Sequence, residues 1–227
     1  MEQRVNRGDT VCILFIVLIL IFAGCGPSDV DKGNTNLALG DYSAAIEFFT
    51  REIQHDPKSY DARVGLGKAL LQKAADTNGD TTIWKQALVQ LEAARTLRPD
   101  DKALKLLSHA WAEYSRLLLA RSDTVRAVEA LSTALQYDPE NVEVVNSIGI
   151  LYFKLGYAQK SEALFTKAIS LDSTHSNSYF NRGMVYWSQK RYDDAHAQWL
   201  KALKYNPDDK DILYWFAKAE KIRREGR

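Results

Sequence analysis

Apolar residues follow two patterns along this chain. From Val11 to Phe22 twelve of them stand side by side without interruption. Further on they return three or four apart, as in Leu104, Leu107, Trp111, Tyr114 and Leu118, the spacing that lays one stripe along a helix. This second pattern is periodic. Gly149 and Gly183 lie 34 residues apart, as do Tyr152 and Tyr186, Phe165 and Trp199, and Ala134, Ala168 and Ala202. Pro139, Ser173 and Pro207 keep the same interval. A fixed period of this size means one supersecondary unit stacked on copies of itself.

Each marker has a packing reason. Small residues such as Gly183 and Ala202 let helices approach closely, and Tyr186 and Trp199 fill the space beside them. Proline closes the unit, because it pushes the residue before it out of the helical region. The clearest copy is Ser176 to Asp209, with Tyr179, Gly183, Tyr186, Ala195, Trp199, Ala202 and Pro207 in place. This set resembles the tetratricopeptide repeat, a helix, a turn and a second helix. The resemblance implies an all-α fold, a right-handed superhelix of helix-turn-helix units with a C-terminal capping helix.

Prolines 57, 99, 139 and 207, with Ser173, divide the chain into five repeats at about 29–59, 60–101, 102–141, 142–175 and 176–209. Residues 210–227 form the cap, with Leu213 and Phe216 expected to face inward. Two repeats are long, by eight and by six residues. In the former, the polar stretch Ala75 to Thr82 reads as a lengthened turn; in the latter, Ala103 to Ala120 reads as a long first helix. The first helix of the first repeat is expected to fray, because Asp29, Lys32 and Asn36 stand where apolar markers belong.

The uninterrupted run belongs to a different element. Arg4 and Arg7 precede it and Ala23, Gly24 and Cys25 follow, the three-part layout of a secretory signal. It is shorter than the ~20 residues that span a bilayer, although a permanent membrane helix is the alternative. Phe22 to Cys25 resembles the lipobox of bacterial lipoproteins, with Phe22 where Leu is usual. The resemblance implies that residues 1–24 are a signal peptide, that Cys25 is acylated at a new N-terminus, and that 25–28 are a short tether. Several acyl chains on one residue supply stable anchoring, whereas a single chain does not. Cys12 would leave with the signal, so no disulfide forms within the mature chain. Localisation follows as the bacterial cell envelope: the periplasmic face of an outer membrane where one exists, otherwise the outer face of the cell membrane.

Charge narrows the partners. Thirty basic and 29 acidic side chains leave a formal +1. Without a concentrated positive field, nucleic acid is an unexpected partner. Catalysis lacks its parts: the chain has no Gly-rich phosphate loop, no GxSxG elbow and no HExxH pair among His55, His109, His175 and His196. Asp76 to Ile83 resembles half of an EF-hand loop, but Thr81 replaces its Gly and Ala87 its closing Glu, so a solvated turn is the better reading. We therefore expect no enzyme, no metal and no cofactor.

In the resembled family the first helices line a concave groove that receives partner segments. Register places Asn146, Ile150 and Phe153 there from one repeat, Phe180, Asn181, Met184 and Trp187 from the next, and Tyr214 and Lys218 from the cap. Aromatic and Met side chains anchor peptides, and amides fix peptide backbones. In a slightly shifted register several of these residues would be core instead. The expected function is a protein-binding scaffold or adaptor in the envelope, assisting assembly of an envelope complex. A membrane-anchored carrier of ligand or cargo is the alternative.

Overall fold

The computed structural model describes residues 26–77 and 80–225, and among them every regular element is an α-helix. The signal segment and Cys25 lie outside the described residues. Eleven helices follow one another: α1 Asp29–Leu39, α2 Tyr42–His55, α3 Tyr60–Asp76, α4 Thr81–Leu97, α5 Asp101–Ala120, α6 Thr124–Tyr137, α7 Val142–Lys154, α8 Ala158–Leu171, α9 Ser176–Ser188, α10 Tyr192–Tyr205 and α11 Lys210–Glu225. The described residues up to Leu97 form one compact unit, and those from Arg98 onward form another.

Within four of the hairpins a glycine of the first helix meets a ring or a Leu of the second. A Cβ added to Gly183 would stand 2.4 Å from Trp199 Nε1, and one at Gly149 would stand 2.7 Å from Phe165. In the first unit Phe49 fills the gap left by both Gly33 and Gly65. Ser161 takes the place of a small Ala without penalty, because its buried hydroxyl donates to the Gly149 carbonyl at 2.8 Å.

The turns are equally regular. Gly40, Ser122, Gly156 and Lys190, each two residues before a second helix, have φ of 80°, 61°, 84° and 62°. The next residue donates its N–H back across the turn, Asp41 to Asn36 O at 2.9 Å and Arg191 to Tyr186 O at 2.9 Å, satisfying an orphan carbonyl. A left-handed non-glycine residue is strained by roughly 1–2 kcal/mol, part of which glycine returns as chain entropy. Lys190→Gly is thus expected to stabilise the protein by up to about 1 kcal/mol, read as a raised thermal midpoint.

Three expectations change. The first helix does not fray in this structure. Ser28 Oγ accepts the Asp31 N–H at 3.1 Å while the Ser28 N–H donates to Asp31 Oδ2 at 3.1 Å, a reciprocal cap. The Ser28 hydroxyl, which donates to Asp31 Oδ2 at 2.7 Å, and then the Ser28 N–H hold the Asp31 carboxyl below its ordinary value. Lys32 covers the Phe48 ring at 5.8 Å and pairs with Asp29 at 3.2 Å, so the polar residues grip the hairpin from its edge. The extra residues of the second hairpin mostly lengthen its helices, since α3 and α4 have 17 residues each against 13 and 14 for α9 and α10. Only residues 77–80 remain between them. In α11 Leu213 is exposed; Ile212 and Ala219 are the buried residues, with Trp215 and Phe216 packed beside them. Phe216 thus packs inward as the sequence suggested, while Ile212 takes the place expected of Leu213.

Candidate functional site

In the second unit α7, α9 and α11 carry all nine of the predicted groove residues, and none was predicted on α5. The structure divides eight of the nine into three groups and leaves Phe153 apart.

Asn146 lies between α7 and α9 and is 5% exposed. Its Oδ1 accepts from Asn181 Nδ2 at 3.1 Å and from Ser178 Oγ at 3.2 Å. Ser178 in turn stands 2.7 Å from His175 Nδ1, and His175 Nε2 stands 2.9 Å from Glu143. Carboxylate, imidazole and hydroxyl in series have the order used to activate a serine nucleophile. Here the hydroxyl is fully buried and its proton goes to Asn146, so the series joins α7 to α9 and offers no substrate an approach.

Phe180, Met184, Trp187, Tyr214 and Lys218 gather around α9 and α11. Trp187 sits edge-on to Tyr192 at 4.8 Å and to Trp215 at 5.4 Å, and tilted to Trp199 at 5.7 Å. Phe180 and Met184 pack on the same cluster, whose centre is Trp199. Lys218 Nζ stands 4.6 Å over Trp215 and 5.4 Å over Trp187, while Tyr214 is largely exposed. Much of the aromatic area that the sequence assigned to a groove is thus committed to joining the last hairpin to α11. Phe153 is half-buried near the end of α7.

Ile150 belongs to the third group, which opens a cleft of about 440 Å³ between α5 and α7. Its floor is aliphatic: Ala112 and Leu119 from α5, Leu131 from α6, and Val144, Ile150 and Leu151 from α7. Its rim is charged, with His109, Glu113 and Arg116 on α5 and Glu143 and Lys154 on α7. Glu113 pairs with Arg116 and lies 3.8 Å from His109 Nδ1. Burial, and then the nearby Arg116 cation, hold the His109 imidazole below its ordinary value. Sequence reasoning missed the α5 wall. The signal was present, since His109, Ala112, Glu113 and Arg116 recur at helical spacing on a helix whose apolar stripe lies elsewhere.

Among the described residues there is no group of three or more metal-ligating side chains. Asp80 Oδ1 accepts the Thr82 N–H at 2.7 Å, which places it at the start of α4 as a cap. No helix among the described residues is long and apolar enough to cross a membrane.

Comparison with known proteins agrees with the fold. Two sequence profiles, both described as Tetratricopeptide repeat, match residues 176–209 and residues 30–78 and 115–176. Human Tetratricopeptide repeat protein 6 is 21% identical over 198 residues, covering 77% of this chain and 38% of that protein. This chain therefore spans well under half the length of that relative. Pseudomonas aeruginosa pilF superposes with a TM-score of 0.59 at 16% identity, over 86% of this chain and 83% of pilF. YrrB, a TPR protein with an unusual peptide-binding site, superposes at 0.52 and 17% identity, over 80% and 87% of the two chains. With matched profiles spanning more than half of the sequence and the helical hairpins they describe present in the fold, the chain belongs to the tetratricopeptide repeat family.

Proposed function

We propose that this protein is a lipid-anchored scaffold of a bacterial cell envelope, holding segments of partner proteins on the face formed by α5, α7 and α9. The cleft between α5 and α7 carries the reading, because an aliphatic floor inside a charged rim offers both burial and orientation to a polypeptide. Proteins of similar fold support it: YrrB has a peptide-binding site, and the first TPR of Spaghetti binds an HSP90 peptide. The anchor rests on the lipobox at Phe22 to Cys25. Since α1 starts at Asp29, only Gly26, Pro27 and Ser28 would separate the acylated residue from the first helix, a reach of about 10 Å. The first unit would then sit close against the membrane surface.

Two measurements test this reading. A photo-crosslinking residue placed in turn at Arg116, Ile150 and Lys154 in living cells should capture one common partner, whereas the same residue at the exposed Leu200 of α10 should not. Equal capture from all four positions would remove the assigned face. Separately, Cys25→Ser should move the protein from the detergent phase to the aqueous phase or leave it unprocessed, because acyl chains are the proposed anchor. A cleaved variant that partitions like the unmodified chain would remove the anchor.

A further inference from the structure

The cleft between α5 and α7 has ends of opposite charge. At one end stand Arg116, in the last turns of α5, and Lys154, the last residue of α7. At the other stands Glu143, in the first turn of α7, with 71% of its side chain exposed and Oε1 held 2.9 Å from His175. Arg116 is balanced by Glu113, so Lys154 sets the sign of its end. Between the ends lies the aliphatic floor of Leu119, Leu131, Val144, Ile150 and Leu151.

The spacing fixes what such a surface recognises. From Glu143 to Lys154 is eleven residues of helix, about 16 Å at 1.5 Å per residue. An extended peptide covers that length in about five residues at 3.3 Å each. We propose that the cleft is a two-pole socket for an extended partner segment carrying a carboxylate and a cation about five residues apart, with a bulky aliphatic side chain between them. The carboxylate meets Lys154, the cation meets Glu143, and the aliphatic group lies on the floor. This rests on the reading that the α5, α7 and α9 face holds polypeptide. Apolar burial supplies most of the attraction, and the two poles set register and exclude segments charged alike at both ends.

The test uses dye-labelled peptides and the full chain in detergent, read by fluorescence anisotropy. One pair of peptides carries Asp and Lys five positions apart around a Leu, in both orders along the chain; controls replace both charges by Gln, or by two Asp, or by two Lys. At least one bipolar peptide should bind more tightly than every control, by about five-fold over the neutral one, with the advantage shrinking in high salt. Glu143→Lys or Lys154→Glu should each erase that advantage while leaving the neutral peptide unaffected. Both residues lie on the exposed rim, and an unchanged circular dichroism spectrum verifies the fold. The double exchange Glu143→Lys with Lys154→Glu should restore it for the opposite peptide order.

Equal binding of bipolar and neutral peptides overturns the poles. Absence of peptide binding, while crosslinks from Arg116, Ile150 and Lys154 persist, overturns the socket and leaves the broader reading standing. A concentration-dependent dimer that Lys154→Glu abolishes would assign the cleft to a second copy of this chain and likewise overturn it.

Discussion

Trp199→Ala is expected to cost about 3–5 kcal/mol of stability, the range for deleting a buried aromatic side chain. Trp199 is fully buried, and its ring is ringed in turn by Phe180, Trp187 and Trp215. Its indole N–H donates to the Phe180 carbonyl at 3.1 Å. Removing it empties the centre of the cluster that joins α9, α10 and α11. Because each hairpin of a repeat fold leans chiefly on its neighbours, the loss should begin in that cluster and spread along the unit. Hydrogen exchange checks the order: protection in α9 to α11 should fall before protection in α5 and α6. The neighbouring Leu200 is largely exposed, and Leu200→Ala should change stability by no more than about 0.5 kcal/mol. Loss of less than about 1 kcal/mol in the Trp199 variant would mean that the cluster is not the support of the last hairpin.

Gly183→Ala should destabilise by about 1–3 kcal/mol, since a methyl group 2.4 Å from Trp199 Nε1 forces a ring or a helix to move. The penalty depends on what the second helix presents. In the third hairpin Ser115 stands sixteen residues before Leu131, the same interval that separates Gly183 from Trp199. Both Ser115 and Leu131 are buried, so that hairpin accommodates a Cβ opposite a Leu, although a Cβ at Gly67 in the second hairpin would stand 2.6 Å from Leu91. The double variant Gly183→Ala with Trp199→Leu should therefore lose less than the sum of its single variants, by about 1 kcal/mol or more in a double-mutant cycle. Additive losses would show that the two positions do not share one space.

These pairs explain which parts of the fold were legible. Gly149 with Phe165 and Gly183 with Trp199 repeat at a fixed interval, and a sequence displays intervals directly. The first helix was misread because its support is not a row of apolar markers. It comes from Gly33, which admits Phe49, and from the reciprocal cap at Ser28 and Asp31. The second hairpin was misread because polarity was taken for turn, while Ala75, Asp76, Thr81 and Thr82 all lie in helices. In α11 a strip containing Ile212, Leu213, Trp215 and Phe216 satisfies two neighbouring helical registers, and contact with α10 selects the one that buries Ile212.

The candidate site was only partly legible for a related reason. Aromatic residues on α9 and α11 drew attention as anchors, yet Trp187 shares its faces with Tyr192, Trp199 and Trp215. The open cleft lies one hairpin upstream, walled by α5, whose six additional residues had been read only as length. Ile150 is the one predicted residue that lines it. An aromatic side chain announces itself in a sequence, but whether it faces solvent depends on neighbours that are distant in the chain.

The turn residues bear on how far such a chain can drift over generations. Gly40, Ser122, Gly156 and Lys190 hold φ within 61° to 84° although two are glycines and the others a serine and a lysine. The bond across each turn, not the identity of the residue, maintains the angle. Mutations there are absorbed at modest cost. A mutation that adds bulk at Gly33, Gly149 or Gly183 meets a ring and must wait for a compensating change sixteen residues away. Such a lineage would keep its helix interiors paired while its turns wander.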